Sequence, residues 1–253
     1  MRYPVLRPPY VYRWAVLLTT LATAATVAVS ALQPHTAAQP AAAATTPIPT
    51  TGQEPAEPLR HAAQPGRVVA LTFDDGPHPE YTPRVLALLA RYGAVATFCI
   101  VGVEAQRHPD LVRAVAAAGM ALCAHTMSHD ENLRTRPPAR IEAEVGGSAA
   151  VLRDGTGAPV RYFRAPAGNW SPELAAVAAR NGLRPLGWSV DSGDWRRPGA
   201  ERIVAAVQRD VRPGAVVLLH DGGGRRDQTV AALEQLLPWL VEQGYGFALP
   251  TPD

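Results

Sequence analysis

The amino-acid sequence predicts an α/β protein: an irregular barrel of parallel strands with helices outside, with a doubly wound open sheet as the alternative. Three observations carry this. Short apolar runs alternate with amphipathic stretches over residues 66–253, the pattern of repeated β-then-α units on a parallel sheet. The runs number seven, one short of a regular eight-stranded barrel. Unusual polar residues follow five of them, at the strand ends where parallel α/β folds gather functional groups.

Element by element, Arg67–Phe73 reads as a buried strand. Thr82-Pro83 opens a helix to Tyr92, with Thr as N-cap and Pro at the first helical position, where its missing N–H is not needed. Ala96–Val101 is a second strand, and a helix over Pro109–Ala118 stops at Gly119. Met120–Ala124 is the third strand, and a helix over Ala139–Arg153 precedes the fourth, Val160–Phe163. Ser171-Pro172 caps a helix to Asn181 and Gly182. Strands over Arg184–Trp188 and Ala215–Leu219 flank a helix over Ala200–Val211. A helix over Gln228–Glu242 and a last strand, Tyr245–Ala248, complete the domain. At 188 residues, it is large enough to bury roughly 70% of its surface.

Two segments precede it. Residues 1–33 read as a signal peptide or an N-terminal membrane anchor. Arg2, Arg7 and Arg13 stand before Trp14–Leu32, a run of 19 uncharged, mostly apolar residues. Small residues at Val29-Ser30-Ala31 suit cleavage, while the length of the run suits a span. In both cases the rest of the chain is expected outside the cytoplasm, secreted or anchored to the outer face of the membrane. Any membrane contact runs through this segment alone. Residues 34–65, rich in Pro, Ala and Thr, read as a disordered linker with little to bury.

Composition narrows the chemistry. All 24 basic residues are Arg. A chain without Lys forms no pyridoxal or aldolase Schiff base and has no P-loop lysine. From residue 54 onward, 21 Arg face 22 acidic residues, so the domain is nearly neutral and no nucleic-acid partner is expected. Cys99 and Cys123, an even pair in an exported chain, can form a disulfide if their runs are neighbouring strands; the alternative is two small buried apolar residues.

The polar clusters are Thr72–Pro77 (with Asp74-Asp75), His125–His129, Arg164–Gly168, Asp191–Trp195 and Leu218–Asp221. An isolated Asp-Asp-Gly is more often a solvated turn. Yet adjacent side chains at a strand end diverge, so that one carboxylate can bind a metal while the other faces substrate. Two His four apart near an Asp match the three-ligand catalytic zinc pattern with an open position. The segment is not the helical zinc-protease motif, since no Glu follows the first His. His220, set opposite a carboxylate across such a site, is a candidate general acid.

In order and spacing, these five motifs resemble those of the polysaccharide deacetylase family, carbohydrate esterase family 4, whose domain is the NodB homology domain. The likeness covers residues 66–250. It implies a distorted (β/α) barrel and metal-dependent removal of acetyl groups from N- or O-acetylated sugars such as peptidoglycan or chitin-like polymer. It further implies that Asp75, His125 and His129 hold one divalent ion, Zn2+ foremost, with Co2+ or Ni2+ acceptable to the same donors. Asp74 would be the base, kept ionised by Arg164, and His220 the acid that protonates the leaving amine, tuned by Asp194. Trp195 and Leu218 would line the groove and acetyl pocket. The backbone N–H of Ala167 would face the oxyanion. Family members usually carry an aromatic at that position; Ala keeps the N–H and removes a groove wall. Trp170 is expected to supply aromatic surface instead, while Trp188 is expected in the core, and Met127 and Ser128 read as spacers. His78 and His108, each before a proline, are given no ligand role. The chain is expected to act as a monomer on an acetylated polysaccharide. A non-catalytic carbohydrate-binding relative and a hydrolase of small amides are the competing readings.

Overall fold

The computed structural model describes residues 57–62 and 64–250. The leader 1–33 and most of the linker lie outside the described residues, and no described helix is long and apolar enough to cross a membrane. The strands are β1 (Val68–Asp74), β2 (Ala96–Ile100), β3 (Ala121–Ala124), β4 (Val160–Phe163), β5 (Arg184–Pro185), β6 (Val190–Asp191), β7 (Ala215–His220) and β8 (Gly246–Phe247). The helices are α1 (Tyr81–Arg91), α2 (Gly102–Arg107), α3 (Pro109–Ala117), α4 (Pro138–Thr156), α5 (Pro172–Arg180), α6 (Ala200–Asp210) and α7 (Asp227–Glu242).

Seven strands form one parallel path, β5-β4-β3-β2-β1-β7-β6, with β8 added beside the start of β1. Because side chains alternate across a strand, one set turns outward under the helices and the other inward. Val69, Leu71 and Phe73 of β1, with Phe98 of β2 and Val217 of β7, belong to the outer core. Ala70, Cys99, Cys123, Tyr162, Leu186 and Val216 converge on a second, inner cluster. An inner cluster fed from most of the strands is a barrel interior and excludes the open-sheet alternative. The result is the distorted (β/α) barrel, left open between β5 and β6, which share no ladder among the described residues.

Three local expectations are corrected. The strand expected over Arg184–Trp188 ends at Pro185; beyond it Leu186 keeps only an isolated bridge, and ladder pairing resumes at β6. The carbonyls of Leu186 and Gly187 are taken instead by the Arg164 guanidinium, at 3.3 and 2.8 Å, which diverts the backbone from a ladder. Thr82 lies inside the first turn of α1 rather than capping it. Its hydroxyl donates to Asp221 Oδ2 at 2.5 Å and accepts from the His78 N–H at 2.7 Å. Finally, the chain is placed before residue 66. Leu59 bridges to Leu186 and His61 to Ala215, so 57–62 runs along the open side of the barrel. By contrast, Ser171 caps α5 as expected, its Oγ accepting from the Leu174 N–H at 3.1 Å.

Cys99 and Cys123 stand opposite each other in the β2–β3 register and form a disulfide, their Cα atoms 4.2 Å apart. Both are fully buried, so the apolar reading and the bridged reading are satisfied together.

Candidate active site

Inward parity continues to the strand ends, where the side chains are polar. Asp74 of β1, His125 just beyond β3, Arg164 just beyond β4, and Leu218 and His220 of β7 extend the inner rows. All five are nearly or fully buried. The same period-2 geometry that builds the inner core therefore delivers them to one end of the barrel. Asp75 breaks the alternation. By parity it would point outward, but it adopts a left-handed backbone (φ 72°) that turns its carboxylate back towards His125 and His129. His129 (φ 56°) and Ala167 (φ 52°) share this costly conformation. Gly222 and Gly223 pack so closely on Asp75 that a Cβ at either would overlap it.

Asp75 Oδ1 lies 3.4 Å from His125 Nε2 and 3.3 Å from His129 Nε2. These are the donors of the one cluster among the described residues suited to hold a metal ion. Two ligand atoms about 2.0–2.1 Å from a tetrahedral ion stand roughly 3.3 Å apart, so the spacing fits a shared cation. Asp75 Oδ1 is buried with no hydrogen-bond partner, an expensive state that a cation would relieve. His125 Nδ1 is 2.8 Å from the Arg164 carbonyl, which leaves Nε2 free to ligate. Burial opposes ionisation of Asp75, but the imidazoles of His125, His220 and His129 outweigh it and hold the carboxyl well below its usual range. Burial and the neighbouring His125 push His129 down, toward the neutral form a ligand needs. His125 is pushed up despite burial, by Asp74 and Asp75.

Asp74 is paired with a fully buried arginine. Arg164 NH1 reaches Asp74 Oδ1 at 2.6 Å and Thr72 Oγ1 at 2.9 Å, and its other nitrogens hold the Leu186 and Gly187 carbonyls. Every arm of the guanidinium is occupied, so the charge is fixed in place. On the opposite side, His220 Nδ1 is 2.7 Å from Asp194 Oδ1, and the His220 N–H and Thr229 hydroxyl donate to Asp194 Oδ2 at 2.8 Å each. Burial alone would lower the His220 pKa; the Asp194 hydrogen bond and charge, with Asp74 and Asp75, raise it to about 9.

These groups surround a pocket of about 400 Å³ lined by Asp74, Asp75, His125, His129, His220, Leu218, Ala167 and Trp195, together with Trp188, Glu131 and Asp191. Trp195 is 47% exposed, an uncommon position for an indole and suited to a sugar face. The Ala167 N–H donates to no backbone acceptor among the described residues.

One tryptophan expectation is reversed and another is extended. Trp170 packs edge-on to Phe163 (5.6 Å) against the outer core and is absent from the pocket lining, because it follows a 3-10 turn that carries it back over β4. Trp188 both rests on the inner cluster and lines the pocket, with the Arg164 guanidinium 5.6 Å from its ring. Ser128 is more than a spacer: its N–H and hydroxyl donate to buried Glu144 at 2.9 and 2.8 Å. Glu131, Asp191, Arg226 (4.0 Å from Asp75) and the glycines after Asp221 were given no role from sequence. Asp191 opens one of the five clusters and the Gly222-Gly223-Gly224 run stands directly behind His220-Asp221, whereas Glu131 and Arg226 carried no local signal.

The profile of the family described as Polysaccharide deacetylase matches residues 61–186. The chain is 41% identical over 191 residues to a chitooligosaccharide deacetylase of Bradyrhizobium, spanning 71% of this chain and 87% of that protein. It is 40% identical over 183 residues to a peptidoglycan-N-acetylglucosamine deacetylase of Bacillus cereus, spanning 72% and 85%. A CE4-family pseudoenzyme from Bacillus anthracis superposes with a TM-score of 0.71 at 27% identity, over 77% of this chain and 67% of that one.

Proposed function

The chain belongs to the polysaccharide deacetylase family, and from that premise we propose that it is a metal-dependent hydrolase removing the acetyl group from N-acetylglucosamine units of a peptidoglycan or chitin-like polymer. One observation carries the reading: the Asp75–His125–His129 cluster, the Asp74–Arg164 pair and the His220–Asp194 pair face a single pocket. The likeness to a pseudoenzyme means that the fold alone does not confer activity. Here, the complete set of groups favours catalysis over a binding-only role.

Asp75, His125 and His129 would hold a divalent ion, zinc foremost, which would supply Lewis acidity to the acetyl carbonyl and acidify water. Asp74, paired with the Arg164 guanidinium, accepts a proton from the attacking water as the water oxygen bonds to the carbonyl carbon. The Ala167 N–H donates to the oxygen that gains charge. His220 then gives its proton to the departing nitrogen as the C–N bond breaks, leaving acetate and a free amine. Leu218 walls the site for the acetyl methyl, and Trp195 and Trp188 offer faces to the sugar.

We further propose that the domain works outside the cytoplasm, carried there by residues 1–33; the disulfide supports this. Cell fractionation distinguishes a cleaved, released form from a membrane-held one.

The full chain is expected to bind about one divalent ion and to release acetate from N-acetylglucosamine oligomers or glycan strands. Asp74→Asn should lower kcat at least about 100-fold while the ion stays bound. A chain that holds no ion, or a variant as active as the parent, overturns the reading.

A further inference from the structure

Beside the catalytic pocket is a second one, of about 430 Å³, lined by Arg196, Arg197, Arg225, Asp227 and Gln228. It lies between the two loops that carry the acid pair. Arg196 and Arg197 directly follow Asp194-Trp195, while Arg225 follows the Gly222–Gly224 run after His220. Those three glycines line a further groove that shares Asp75 and His129 with the site, and Arg225 follows directly after them in the chain.

The pocket is cationic. Three guanidiniums face one carboxylate, and that carboxylate is already engaged: Asp227 accepts from Arg225 at 3.2 Å and from the Tyr81 hydroxyl at 3.3 Å, with Arg84 3.8 Å away. Elsewhere on the surface, arginines such as Arg107, Arg113, Arg136 and Arg140 sit on acidic neighbours. Arg197 has no ion-pair or side-chain hydrogen-bond partner among the described residues. Its backbone is left-handed (φ 55°), which costs energy in a residue other than Gly or Asn. Arg196 lies 4.3 Å over the Trp195 ring, which carries its charge to the groove wall. Gln228 Oε1 accepts from the Gly199 N–H at 2.7 Å, leaving its amide donors for a ligand.

We infer that this pocket is a subsite for a carboxylate borne by the glycan, so that strands with an acidic sugar next to the N-acetylglucosamine are preferred over a neutral chitin-like chain. The inference rests on the deacetylase reading and names its substrate class more narrowly. Arg forks grip carboxylates by paired hydrogen bonds. With Asp227 offsetting Arg225, the lining keeps two uncompensated positive charges, Arg196 and Arg197, which favour an anionic ligand.

The test uses the full chain, Arg197→Asn (Asn tolerates the left-handed backbone), Arg225→Gln, and both together. Substrates are peptide-free glycan strands with a lactyl carboxylate on alternate sugars, the same strands with that carboxylate methyl-esterified, and neutral N-acetylglucosamine oligomers of equal length. KM for the acidic strands should rise about tenfold per lost guanidinium, the scale of one charge-assisted hydrogen bond. Esterified strands and neutral oligomers should be processed as before. Equal losses on all three substrates, or none on the acidic strands, overturn the subsite. Calorimetry with Asp74→Asn separates the two claims. If the parent chain releases no acetate yet Asp74→Asn binds acidic strands through Arg197 and Arg225, the hydrolase reading fails and the subsite stands.

Discussion

In the proposed reaction, His220 serves only while it holds a proton, and Asp194 keeps it there. The aspartate fixes Nδ1 and the backbone N–H of the same residue, and its own second oxygen is tied to Thr229. With the His220 pKa raised to about 9, the rate should stay high through neutrality and fall as pH rises through that value. Asp194→Asn removes the charge that opposes burial. Its alkaline limb should move down by about one unit or more in a kcat–pH profile. The pair also contributes to stability. A pKa raised above the ordinary 6.5 gives stabilisation that is complete below that pH and lost as pH climbs through about 9. Thermal melts at pH 6 and 10 should show a larger drop for the parent than for Asp194→Asn. Asp194 was legible in the sequence as a member of a motif, but its two hydrogen bonds to His220 bring together residues 26 apart in the chain.

At the scale of the element, loops do the aiming and helices hold the loops. Buried Glu144 on α4 takes two hydrogen bonds from Ser128 and an ion pair from Arg140 at 2.6 Å, while Thr126 Oγ1 accepts from the His129 N–H at 2.9 Å. Together they clamp the turn that presents His129. Glu144→Gln keeps the shape but weakens both contacts. It should lower metal affinity about tenfold to 100-fold, read by equilibrium dialysis, with Asp74 and His220 untouched. The strands were legible because buried apolar runs and their period leave few alternatives. The broken strand after Pro185 was not, since its cause is an arginine more than 20 residues earlier that claims its carbonyls. Nor was the outward packing of Trp170 or the pocket face of Trp188: apolar character says that each is buried against something, and only the course of the chain says against what.

The whole molecule is a barrel with a gap, and two devices bear on its integrity. Residues 57–62 run along the open side, and the Cys99–Cys123 bridge ties β2 to β3 through the inner core. Replacing both cysteines by alanine should destabilise the domain by about 3 kcal/mol for a loop of this length, measured by urea unfolding under oxidising conditions, with the metal site retained. By itself, the sequence determined the α/β class, most of the strands and helices (though not β6 or α2) and the five clusters. Apolar period, caps and strand-end position are local properties that a chain carries wherever it goes. Only tertiary structure decided which side chains meet. The inward turn of Asp75, the carbonyls held by Arg164, the placement of Trp170 and Trp188 and the arginine pocket between two loops all depend on backbone dihedrals and on contacts between residues distant in the chain. Those are settled when the barrel closes around its inner core.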